Sequence, residues 1–67
     1  MKWTDTREIA LALAEKLPDI DPRVIRFMQL RPWVLELNRF NDEPDNADEK
    51  LLETIQMLWI EQAGHAT

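Results

Sequence analysis

The sequence predicts a mainly helical fold of three short helices, and three observations carry that expectation. Apolar residues recur every four positions from Ile9 to Leu17, a broader apolar stripe runs from Leu51 to Trp59, and segments rich in Pro, Asp and Asn separate the helical patterns. Sixty-seven residues suffice for one domain, spanning 1–67. A domain of that size buries only about 60% of the surface its unfolded chain exposes. Three helices around one core, with a compact loop between the first two, suggest a small winged-helix-like or helix-turn-helix architecture, with room for a short extended segment between helices one and two.

Helix one should follow Asp5, because Asp5 and Glu8 stand three apart in a variant of the capping box. Ile9, Leu13 and Leu17, with Ala10 and Ala14 beside them, form its apolar face, which Leu11 widens. Pro18 should stop the helix near Lys16 or Leu17. Pro18-Asp19-Ile20-Asp21-Pro22 then reads as a structured loop, since two prolines restrict the backbone and two aspartates favour turns that bond side chain to main chain. Val24-Ile25-Arg26-Phe27 is β-branched and aromatic enough for an extended stretch, against the alternative of a helical turn begun at Pro22 behind an Asp21 cap.

Pro32 suits a first helical position, so helix two should begin near it and continue through Trp33, Val34, Leu37 and Asn38, aligning Trp33, Leu37 and Phe40 on one side. Asn41 to Asn46 is polar, contains Pro44 and reads as a loop. Asn46 and Glu49 make a second capping box for helix three, whose stripe comprises Leu51, Leu52, Ile55, Leu58, Trp59 and Ala63. Gly64 is a natural stop, and His65 beyond it should be solvated. Trp3, Trp33 and Trp59 fall at helical or helix-flanking positions and read as core or half-core.

The inventory of residue types excludes much chemistry. There is no cysteine and no serine, His65 is the single histidine and Gly64 the single glycine. Disulfides, thiolate metal sites, Ser/His or Cys/His nucleophilic centres and Gly-rich phosphate loops therefore cannot be assembled, and the chain is expected not to be an enzyme. No apolar run approaches the ~20 residues of a membrane span, and the N-terminal residues lack the apolar stretch of a secretory signal, so a cytoplasmic location is expected.

The net charge of −5 is unevenly distributed: residues 1–40 carry +1 and residues 41–67 carry −6. Asp42, Glu43, Asp45, Asp48 and Glu49 fall within eight residues. Proximity to a helix N-terminus accounts for Asp45, Asp48 and Glu49 but not for Asp42 and Glu43. Converging carboxylates can hold a hard cation or meet a basic patch on a partner. A calcium-loop spacing fails, because Pro44 occupies a ligand position and the required glycine is missing. Asp19 and Asp21 form a second acidic pair with a ready explanation as turn builders. Arg23, Arg26, Arg31 and Arg39 are the opposing feature. They leave open a DNA-binding winged helix using Arg23, Arg26 and Arg31, although a chain at −5 is repelled by a polyanion.

Several segments in order also carry a resemblance. The opening Lys2-Trp3-Thr4-Asp5-Thr6-Arg7-Glu8-Ile9, the loop Pro18-Asp19-Ile20-Asp21-Pro22, Val24-Ile25-Arg26-Phe27, Trp33, Phe40 with Asp42-Glu43-Pro44, and Glu49-Lys50-Leu51-Leu52-Glu53 ending in Leu58-Trp59-Ile60 resemble the IscX family of iron-sulfur cluster assembly proteins. The likeness runs from Lys2 to about Ala63. It implies a winged-helix-like protein that binds the cysteine desulfurase IscS through an acidic surface, binds iron weakly through carboxylates, competes with frataxin and adjusts the rate of cluster assembly. Carried over by position, it implies partner binding by Asp5, Glu8, Asp19, Asp21, Asp42 and Glu43, and a weak iron site among Asp19, Asp21, Asp42 and Glu43. Asn38, Arg39, Asn41, Leu11 and Ala12 stand where the family is more acidic, which weakens such a metal site. Met28 and Pro32 replace polar residues expected at the start of helix two.

Overall fold

The computed structural model describes residues 1–65, apart from the side chain of His65, so the solvation expected of His65 lies outside the described residues. The chain forms helix α1 (Thr6–Lys16), helix α2 (Phe27–Leu35), a single 3-10 turn (Pro44–Asn46) and helix α3 (Glu49–His65). Among the described residues there is no strand. The mainly helical, three-helix expectation therefore holds, and no wing of strands accompanies the helices among the described residues.

α1 buries Ile9, Ala10 and Leu13, the three central positions of the predicted face, and ends at Lys16 ahead of Pro18. Leu11 does not widen that face: it is 40% exposed on the opposite side. Asp5 occupies the N-cap position without making a side-chain cap. Its carboxylate instead accepts from the Lys2 N–H at 2.9 Å, so the expected box with Glu8 does not form.

α2 departs most from expectation. It begins at Phe27, five residues before Pro32, and ends at Leu35 rather than Asn38. Phe27, Leu30 and Val34 follow helical spacing, and burying Leu30 and Val34 completely outweighs the preference of Pro32 for a first turn. The start is closed by Gln29, whose side-chain oxygen accepts from the Arg26 N–H at 3.0 Å while the Arg26 carbonyl accepts from the Gln29 and Leu30 N–H groups. Upstream, Asp21 Oδ1 accepts from the Arg23 N–H at 3.0 Å, making the side-chain-closed turn expected of this loop. The backbone turns at Pro22 and Arg23, bends at Val24, is extended at Arg26 (φ −110°, ψ 158°) and enters α2 at Phe27, so Val24–Phe27 is not a continuous extended stretch. At the other end, successive bonds from Leu37 N to Val34 O and from Phe40 N to Leu37 O replace the helix with turns. Trp33 and Phe40 consequently part company: Trp33 meets Trp59 edge-on at 6.0 Å, and Phe40 meets Trp3 edge-on at 4.8 Å.

α3 is capped by Asp48, whose Oδ1 accepts from the Leu51 N–H at 2.8 Å, and not by Asn46. Leu52, Ile55 and Trp59 are its fully buried seam, flanked by half-buried Leu51 and Leu58. The helix runs through Gly64 to His65, so Gly64 does not terminate it. α1 packs chiefly against α3, and α2 closes the core with Leu30, Val34 and the following Leu37. Trp3 and Trp59 are the largest fully buried side chains, as core tryptophans were expected to be, with Trp33 half-buried beside them.

Candidate functional site

The acidic residues resolve into two groups. Asp42 and Glu43 stand in the loop before the 3-10 turn, Asp45 lies within that turn, and Asp48 and Glu49 open α3. Asp21 instead lines a shallow hollow with Ile20, Pro22, Arg23, Ile60 and Ala63, against the last turns of α3. A helix of 17 residues is about 25 Å long, so the pair Asp19 and Asp21 and the pair Asp42 and Glu43 sit toward opposite ends of α3. Among the described residues no three His, Asp or Glu side chains converge to hold a metal ion.

The loop carrying Asp42 and Glu43 is fastened by the start of the chain. The Met1 ammonium donates to the Arg39 carbonyl at 2.6 Å, and the Asn41 N–H donates to the Met1 carbonyl at 2.8 Å. Buried Trp3 donates twice, from its backbone N–H to Asp42 Oδ2 at 3.1 Å and from Nε1 to the Glu43 carbonyl at 2.7 Å. Asp42 Oδ1 accepts from the Glu43 N–H and from Asn46 Nδ2, both at 2.8 Å. Those donors, the Asn46 amide foremost and the Trp3 and Glu43 N–H groups next, hold the Asp42 carboxyl below the ordinary carboxylate range, with a smaller contribution from the Lys2 charge. From the other side, the Arg31 guanidinium donates to the Pro44 carbonyl at 3.0 Å and the Ala47 carbonyl at 3.5 Å.

This geometry divides labour among the acids. The carboxylate of half-buried Asp42 ties the loop together, whereas Glu43, Asp45 and Glu49 are exposed and their carboxylates make no hydrogen bond or ion pair within the described residues. Asp5 braces Lys2 beside the same loop, and Glu8 stands exposed in the first turn of α1. At the opposite end Asp19 is exposed in its turn, and Asp21 is paired with Arg23 at 3.0 Å, which lowers its pKa. Sequence reasoning missed the Trp3 fastening, which no local spacing could reveal because the partners lie 39 and 40 residues apart. Arg23 pairs with a nearby acid and Arg31 is engaged by carbonyls, which leaves Arg26 alone of the three arginines considered for DNA without a side-chain partner among the described residues.

Comparison with known proteins bears on what such a surface serves. The family model for iron-sulphur cluster assembly matches residues 1–64. The chain belongs to the iron-sulphur cluster assembly family. A protein of Pseudomonas aeruginosa, itself uncharacterised, is 52% identical over 62 residues, covering 92% of this chain and 94% of the relative. Membership of the iron-sulphur cluster assembly family supports a role in building those clusters, and with it partners in the assembly machinery. No described helix is long and apolar enough to cross a membrane.

Proposed function

We propose that this protein is a non-enzymatic, cytoplasmic accessory of iron-sulfur cluster assembly, of the IscX type, that docks on a cysteine desulfurase through its acidic surface. The observation that carries the reading is a loop fastened by hydrogen bonds and presenting Glu43, Asp45 and Glu49 outward in a chain of the assembly family. A carboxylate surface facing a basic patch speeds encounter and fixes orientation, and its affinity falls as salt screens it. The competition with frataxin that the resemblance implies needs only a shared footprint on the desulfurase.

In this reading iron binding is weak and open, because carboxylates spread over two ends of α3 do not form a closed cage. The four-residue set Asp19, Asp21, Asp42 and Glu43 is split between the two ends of α3, so ferrous or ferric iron would be held by no more than one or two carboxylates of the 42–49 segment, Glu43 among them. Iron there would neutralise part of the docking surface, and the coupling between iron and desulfurase would be reciprocal. Ferrous iron added to isotope-labelled protein should move the amides of residues 42–49; movement confined to other residues would remove iron from the account. Docking itself is tested by titrating purified desulfurase into the protein at low salt, where Glu43→Lys and Glu49→Lys together should weaken binding at least tenfold. Affinity unchanged by those reversals would overturn the assignment of the surface.

A further inference from the structure

The outer face of α2 lacks the cover that its composition calls for. Of the nine residues Phe27–Leu35 only Gln29 and Arg31 are polar, and a helix apolar almost all round is ordinarily buried on every side. Here the chain covers one side, with Leu30 and Val34 fully buried and Phe27 and Trp33 half-buried. Met28, Pro32 and Leu35 follow one another at i, i+4 and i+7, a spacing that places them in one line along the helix. All three are exposed, Met28 to 75%, and Val24, just upstream, is 76% exposed. Single exposed apolar residues are ordinary, whereas an aligned set marks an interaction surface.

The charge around that line is net basic, unlike that of the rest of the molecule. From Asp21 to Glu36 three arginines, Arg23, Arg26 and Arg31, face two acids, Asp21 and exposed Glu36. Arg23 is neutralised by Asp21, but Arg26 has no ion-pair partner among the described residues, and Arg31 donates to carbonyls, which satisfy its N–H groups without cancelling its charge. A two-fold pairing of α2 with its own copy would oppose these arginines to one another. Nucleic acid would meet an apolar ridge with its central guanidinium already engaged. We propose that the outer face of α2 is a second docking surface, taking a protein segment that presents an apolar ridge flanked by carboxylates. The chain then has two faces of opposite electrostatic preference, and this one is independent of desulfurase binding.

The test uses the isotope-labelled full chain and two synthetic helical peptides that share a leucine ridge and differ in having Glu or Lys on the flanking positions. The Glu-flanked peptide should move the amides of residues 24–36 and bind at least tenfold more tightly than the Lys-flanked one at low salt. Met28→Glu should lower that affinity at least tenfold, whereas Met57→Glu, the same change at a methionine of α3 that is 60% exposed, should leave it unchanged. A circular dichroism spectrum unchanged by either substitution shows that the fold persists. Equal binding of the two peptides, shifts centred away from α2, or a concentration-dependent dimer formed through these amides would overturn the proposal. So would phosphatidylglycerol vesicles or duplex DNA moving the α2 amides while the Glu-flanked peptide leaves them in place.

Discussion

Trp3 shows how one side chain can serve the core and the site together. Its ring is fully buried against Phe40, and its two N–H groups hold Asp42 and the Glu43 carbonyl. Trp3→Phe keeps an aromatic ring against Phe40 but deletes the Nε1 donor and part of a fully buried ring, so it should cost about 1–3 kcal/mol and speed hydrogen exchange in residues 42–46 before it does so in α3. Loss of stability without faster exchange in that loop would place the Trp3 contribution in packing alone. Asp42 makes the complementary case. Its folded pKa lies below that of the unfolded chain, so its contribution to stability is complete above the ordinary value of about 3.9 and is lost as pH falls through the lower folded value. Thermal unfolding should therefore be insensitive to this group from neutral pH to about pH 5 and lose its contribution below that. In Asp42→Asn the acid limb should be shallower; an identical limb would show that the network around Asp42 does not favour its charged form.

At the scale of elements, legibility followed locality. α1 and α3 could be read from the sequence because their buried seams, Ile9 with Leu13 and Leu52 with Ile55 and Trp59, are set by helical periodicity within each segment. Their caps were misread: Asp48 competes with Asn46 for the same role, and Asp5 is drawn to Lys2 instead. α2 was misplaced because Pro32, a strong local signal, was weighed above the burial of Leu30 and Val34, whose partners lie in other helices. The acidic loop was legible as composition but not as geometry, since what separates tethered Asp42 from outward Glu43 is that the Asp42 carboxylate accepts from Asn46, the Glu43 N–H and the distant Trp3 N–H, whereas the Glu43 carboxylate accepts from none of them. Two substitutions test this ordering of the elements. Ile55→Ala, at a fully buried position of α3, should cost roughly 2–5 kcal/mol, and Asp48→Ala about 1 kcal/mol through the lost cap, both read from denaturant unfolding. A larger loss from Asp48→Ala than from Ile55→Ala would contradict the packing described for α3.

Over the whole molecule the charge distribution becomes an arrangement of surfaces. The −6 carried by residues 41–67 gathers largely around the loop and first turn that Trp3, Asn46 and Arg31 hold in place, while the three arginines between residues 22 and 35 flank an uncovered helix face. The inventory holds no cysteine and no serine, and the proposed role asks only for recognition by this surface. Membership of the iron-sulphur cluster assembly family supports a role in that assembly, and docking as proposed would let the chain act on a partner's sulfur chemistry without contributing a thiol of its own. The measurement that tests this most directly is a calorimetric titration of a purified cysteine desulfurase with this protein at about 50 and 500 mM salt. Binding at low salt that weakens at least tenfold at high salt is the expected result. No binding at low salt, or an affinity indifferent to salt, would contradict the account.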